Sequence, residues 1–171
     1  YRLAYLYALQ RFANRRGLRT LTGPSLRHDV AGALVAAQHA DGTWTASGSD
    51  LMDTSTALLA LTETRRPILL NFMELTARGD DEVANWVRHC RETFKRPYAW
   101  QVVDPRGEPS AVSDASILYI TVDDQLSLPM NWTSQLKPFV EGGGTIVVAA
   151  HTEAASELTT IAQQLAATLG P

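Results

Sequence analysis

Apolar residues recur at spacings of three and four from Tyr1 to about Thr64, and in short unbroken runs after that. In the first stretch Tyr1, Ala4, Tyr5, Ala8 and Phe12 trace one helical face, and Leu3, Leu6 and Leu9 fill the adjoining one. A helix apolar over most of its circumference is normally buried by neighbours on more than one side. Gly17 and Gly23-Pro24 end this segment. Ser25 is placed to cap a second helix with Leu26, Val30, Ala33, Leu34 and Ala37 as its stripe. Residues 41–49 read as loop, and Asp53 is expected to begin, and cap, a third helix through Leu61. Three short helices with such broad apolar faces make a poor free-standing domain.

Beyond Arg65-Arg66-Pro67 the pattern becomes strand–helix alternation. Buried strands are predicted at 68–72, 98–103, 117–122 and 145–150. Asp80-Asp81-Glu82 suits a helix N-terminus, and Val83, Trp86, Val87, Cys90 and Phe94 follow at helical spacing. A helix over 132–141 is expected to be shortened or kinked by Pro138 and closed by Gly142-Gly143-Gly144. The last helix carries Leu158, Ile161, Ala162, Leu165 and Leu169. Residues 104–115, with Pro105, Gly107 and Pro109, predict a crossover without a helix. Apolar strands alternating with amphipathic helices indicate a parallel sheet covered on both faces, and right-handed crossovers give the order 2-1-3-4. The fold class is therefore α + α/β: an all-α segment over 1–64, then a small doubly wound, flavodoxin-like domain over 65–171.

Composition narrows the function classes only a little. A formal net charge of −3 with scattered basic residues leaves no electrostatic footprint for nucleic acid. No apolar run approaches the ~20 residues that span a bilayer. Cys90 stands alone, which excludes an intrachain disulfide framework and a cysteine-based zinc site. The chain opens at Tyr1 without Met, as an excised fragment or a mature piece would.

Gln38-His39-Ala40-Asp41-Gly42-Thr43-Trp44, followed by Asp53-Thr54-Ser55-Thr56-Ala57-Leu58-Leu59-Ala60-Leu61, is the most specific motif. It resembles the repeat of the squalene cyclase and prenyltransferase superfamily, whose helices form an α/α toroid. Gln38, Gly42, Trp44, Asp53 and Thr54 carry the match over residues 38–61. Such repeats come in many copies, so a single copy implies the end of a larger ring. Physically, Gln38 can satisfy free backbone groups at a helix end and Trp44 can stack over it. Cyclases of this superfamily protonate substrate from the central Asp of a D-x-D-D-T motif; aligned on Asp53-Thr54, that position is Met52, which has no proton to donate. No zinc-binding set of the prenyltransferase kind is visible. The resemblance implies the fold without its chemistry.

In an open parallel sheet, ligands bind beyond the strand C-termini where strand order reverses. Glu74, Arg78, Asp80 and Asp81 are expected on one side of that crevice and Asp123, Asp124 and Gln125 on the other, with Asp104 and His151 after the second and fourth strands. Asp123, Asp124, Glu74 and His151 are the catalytic candidates, and Asp123, Asp124 and His151 the metal candidates. The competing reading makes these acids turn formers and helix caps. No phosphate cradle is evident, since the Gly triplet follows a helix and precedes a strand, which predicts a C-cap with positive φ. Trp44, Trp100 and Trp132 are candidate sugar-stacking platforms, against a reading as core residues.

Phe139-Val140-Glu141-Gly142-Gly143-Gly144-Thr145-Ile146-Val147-Val148 resembles a segment of class I glutamine-amidotransferase-like domains, including trehalose-utilisation-type proteins. Catalysis in that family requires a Cys on a sharp turn after a central strand, activated by His. Here the third strand ends Thr121-Val122-Asp123-Asp124, Cys90 sits in a helical apolar stripe, and His151-Thr152-Glu153 has no nucleophile to serve. The whole arrangement resembles large bacterial proteins in which an amidotransferase-like domain follows a helical-toroid region. The expectation is a non-catalytic binding or scaffolding module whose partner is the rest of a parent protein or a separate protein, with no cofactor. A metal-assisted hydrolase or transferase and a carbohydrate-binding module are the alternatives.

Overall fold

Where apolar residues recur at three and four, three helices form: α1 (Arg2–Arg16), α2 (Leu26–Ala36) and α3 (Asp50–Thr64). They lie in one unit, Tyr1–Arg66, and a second unit spans Pro67–Pro171. The computed structural model describes residues 2–21, 25–73, 80–104, 109–122, 130–150 and 155–169.

In the helical unit α3 packs against both α1 and α2, around Leu3, Ala13, Leu26, Val30, Leu34, Trp44, Ala57 and Ala60. Leu34 is fully enclosed, a burial that favours the fold by about 2 kcal/mol. The inward face of α1 is Leu3, Gln10, Ala13 and Asn14, with Leu6 and Leu9 half-buried beside it. Ala4, Tyr5, Ala8 and Phe12, expected to be buried, face outward. Small residues at 13 and 17 and polar residues at 10 and 14 let α1 approach its neighbours along the other face. Ser25 occupies the N-cap of α2, but its hydroxyl makes no cap bond. The third helix starts three residues before Asp53, with Ser49 at its N-cap.

Across the helical unit runs a buried polar network. The Asn14 amide donates to the Glu63 carbonyl (3.0 Å) and carboxylate (2.9 Å), and its oxygen accepts from Gln10 Nε2 (3.1 Å) and Arg27 Nη2 (3.2 Å). Arg27 Nη1 donates to the Arg66 carbonyl, and the Arg66 guanidinium pairs with Glu63 at 2.5 Å. Gln10, Asn14, Arg27, Glu63 and Arg66 are thus tied together where α3 ends.

The second unit is a four-stranded, all-parallel sheet of β1 (Ile68–Met73), β2 (Ala99–Val103), β3 (Ile117–Val122) and β4 (Thr145–Ala150) in the order β2-β1-β3-β4. Helices α4 (Asp80–Phe94), α5 (Met130–Glu141) and α6 (Ala155–Leu169) and a 3-10 helix (Pro109–Asp114) complete it. Order and pairing are those of a flavodoxin-like sheet preceded by helices. Among the described residues of the crossover from β2 to β3 stands the 3-10 turn, which Asn71 of β1 ties down by donating to the Ala111 and Val112 carbonyls at 2.9 and 2.8 Å.

Each sheet face has its own core. Leu70, Phe72 and Trp100 meet Val83 and Val87 of α4; Met73, Leu118 and Ile120 meet Leu136 and Phe139 of α5 and Leu165 of α6. Helix α5 runs through Pro138 without a break and ends in a Schellman turn, Gly144 N–H to the Phe139 carbonyl and Gly143 N–H to Val140. Gly143 supplies the positive φ, +92°. Gly144 is required for another reason: a Cβ there would stand 2.5 Å from the Phe139 ring.

Candidate functional site

The D-G-T-W segment is a stapled loop between α2 and α3. Gln38 Nε2 donates to the Gly42 carbonyl (3.0 Å), so it closes its own turn and leaves the helix end to another residue. Gly42 takes the positive φ, +87°, that this turn needs. The Asp41 carboxylate accepts from the Thr43 N–H and hydroxyl, which hold it below its usual pKa. Trp44 is buried, and its indole N–H donates to the Leu34 carbonyl at 2.8 Å, in the last turn of α2. Helix-end satisfaction, expected from Gln38, is the work of Trp44. Thr54 Oγ1 accepts from the Trp44 N–H at 3.1 Å and fixes the backbone of the indole.

Asp53 does not cap its own helix. Lying one turn inside α3, it turns back on the preceding loop and accepts from the Ser47 N–H (2.6 Å), the Ala46 N–H (2.7 Å) and the Ser47 hydroxyl (2.9 Å). Those backbone donors, Ser47 first and then Ala46, keep its carboxyl below the ordinary carboxylate value. Both oxygens are engaged in holding the loop closed. Met52, one residue before it, projects outward.

The crevice predicted at the strand C-termini is set by the sheet order. Met73 ends β1 next to β3, so the reversal of strand order falls between these two strands. Glu74, Arg78, Asp123, Asp124, Gln125 and His151 lie outside the described residues. Asp81 is exposed in the first turn of α4, and Asp104 is exposed just after β2. Among the described residues, no group of three or more His, Cys, Asp or Glu is arranged to hold a metal ion. Cys90 is buried on α4, against the sheet.

Of the stacking candidates, Trp44 and Trp100 are core residues, Trp100 packing against Phe72 with centroids 6.5 Å apart. The Trp132 side chain is outside the described set. Trp86, placed by spacing in the buried stripe of α4, is instead 37% exposed, and Phe94 is more exposed still. Val83, Val87 and Cys90 alone form that stripe, because α4 covers β1 and β2 and leaves its outer flank free.

The described residues line concavities on both parts of the sheet's surroundings, of which two bear on binding. One of about 330 Å³ lies at the strand N-termini, between Ser113–Ser116 and the Gly142–Gly144 turn. The other, about 270 Å³, lies beside α4 and is lined by Glu82, Val83, Trp86, Tyr119 and Val147. Neither was legible in the sequence, since each depends on which parts of the sheet the helices cover.

Comparison of the chain with protein-family models, curated proteins and solved structures found no match. No helix among the described residues is long and apolar enough to cross a membrane.

Proposed function

We propose that the chain is a non-catalytic binding or scaffolding module, in which the end of an α/α toroid leads into a degenerate amidotransferase-like α/β domain. The observation that carries this reading is a pair of apolar stripes left open on the helical unit. On α1, Tyr5 and Phe12 stand seven residues apart and are 64% and 55% exposed, with Ala4 and Ala8 beside them. On α3, Leu51 and Met52 are 79% and 66% exposed, and Leu58 and Leu59 repeat them seven residues on. Apolar side chains recurring at heptad spacing on an exposed face are what a partner helix packs against. The partner is a helical segment, either the remainder of a longer parent protein or a separate protein. The Met at the cyclase acid position, and an Asp53 committed to its own loop, favour a structural use of the repeat.

Sedimentation and binding of a fluorescent apolar dye test this directly. The chain should bind the dye or self-associate, and Phe12→Ser with Leu59→Ser should remove both behaviours while leaving the melting temperature within a few degrees. A dispersed chain without dye binding, or a double variant that unfolds, would show these side chains to be ordinary surface or core. The second reading, a metal-assisted hydrolase or transferase, rests on the strand-order reversal between β1 and β3. It requires a divalent metal to raise the melting temperature and Asp123→Ala/Asp124→Ala to abolish the rise.

A further inference from the structure

We propose that the groove beside α4 binds a small alkylammonium group, held by the faces of Trp86 and Tyr119 and neutralised by Glu82. Helix α4 covers β1 and β2, so the same face of β3 and β4 emerges past its flank, and Tyr119 and Val147 become the floor of the groove. The Tyr119 ring is fixed by its neighbours: the Phe72 centroid lies 6.1 Å away and that of Trp86 5.9 Å, the Trp86 plane inclined to it by 50°. Two aromatic rings at this inclination form adjacent walls.

Glu82 stands one helical turn before Trp86 on α4, and its carboxylate accepts the Tyr119 hydroxyl at 3.3 Å. Among the described residues the Tyr119 hydroxyl is its only bonded partner, and no cation neutralises it. Burial, and then the Glu82 charge, hold the Tyr119 hydroxyl protonated beyond its usual range, so among the described lining residues Glu82 is the one acid.

This chemistry selects among ligand classes. An anion would meet Glu82 unopposed. A sugar needs several convergent polar groups, whereas among the described residues Val83, Val147 and the two rings leave the groove only Glu82 and one hydroxyl already in use. A cation with an apolar shell fits both features, because ring faces and carboxylate attract it while its methyl or methylene groups lie on the valines. At about 270 Å³ the groove is at the small end for ligand sites, the size of a head group or a side-chain terminus. Free amines and the ammonium group of a lysine or methylated lysine share this chemistry.

The test is an NMR titration of the whole chain with choline and with butylammonium, following the Trp86 indole N–H, assigned by its loss in Trp86→Phe. Saturable shifts are expected at Trp86 and Tyr119. Glu82→Gln should weaken binding at least tenfold, and 3,3-dimethylbutanol, the uncharged analogue of choline's head, should bind at least tenfold more weakly than choline. Glu82 is on the exposed first turn of α4, so an unchanged melting temperature separates loss of the site from loss of the fold. A trimethyl-lysine peptide binding more tightly than choline would identify a protein source of the cation, and the reverse a free amine. Equal binding of the alcohol, indifference to Glu82→Gln, saturation by methyl glucoside alone, or no saturable shift would each overturn the proposal.

Discussion

Replacing Asn14 by Leu should unfold the helical unit selectively. The substitution keeps the side chain's bulk and removes all four hydrogen bonds that Asn14 makes to Gln10, Arg27 and Glu63. Two losses dominate. The bond to the Glu63 carboxylate is charge-assisted, and a bond of that kind contributes about 2 kcal/mol. The Gln10 amide is 1% exposed and its oxygen already lacks a partner, so losing Asn14 leaves the whole group buried and unbonded, at a cost of about 2 kcal/mol. The bond from Arg27 adds little, because that guanidinium keeps the Arg66 carbonyl. A loss of about 4 kcal/mol is comparable with the whole stability of a small domain. Hydrogen exchange resolved by peptide is the appropriate assay, since it reads each unit separately. Protection of α1 and α3 amides should fall by about a thousandfold, the equivalent of that energy, while β1 and β3 amides keep theirs. An effect below about tenfold, or an equal loss in the strands, would refute the view that this network holds the three helices together.

Two further outcomes follow from close contacts. Gly144→Ala forces a methyl onto the Phe139 ring and should destabilise the α/β unit by about 2 kcal/mol in urea denaturation. In a Phe139→Leu background the same change should cost much less, and simple additivity would show the contact to be unimportant. For Asp53 the folded pKa is depressed below 3.8, so its contribution is present above that value and disappears as pH falls through the folded pKa. Wild-type should therefore exceed Asp53→Asn in melting temperature at neutral pH, and the gap should close below about pH 4; a gap independent of pH would contradict the loop-holding role.

The sheet was readable in the sequence because unbroken runs such as Ile117–Val122 suit only strands buried on both faces, and handed crossovers then leave few orders. The reversal of α1 was not, because both of its faces are apolar: hydrophobicity alone preferred Tyr5 and Phe12 to Leu3 and Ala13. Gln10 and Asn14, one turn apart within an apolar helix, were the available signal for the buried network, and they point inward. Asp53 misled for a related reason, since an Asp ahead of an apolar helical run resembles an N-cap whether it bonds forward or back. The Trp86 groove depends on α4 covering two strands of the four, a matter of tertiary placement that no local spacing encodes. The four crevice candidates remain sequence expectations, all of them outside the described residues.

One consequence of the strand order concerns solution behaviour. Among the described residues no strand borders the outer side of β4, and Thr145-Ile146-Val147-Val148-Ala149-Ala150 carries neither charge nor proline. Natural edges are usually blunted by Lys, Pro or a bulge, and this one has none of them. Its register with β3 is unbroken from Ile117 to Val122, so the outer row of backbone donors and acceptors is equally regular. Such a row is a template that reads no side chains and accepts any strand of matching length. An unblunted edge of this kind is a route to strand-on-strand aggregation, and a protein can be well folded in every other respect and still be lost through it.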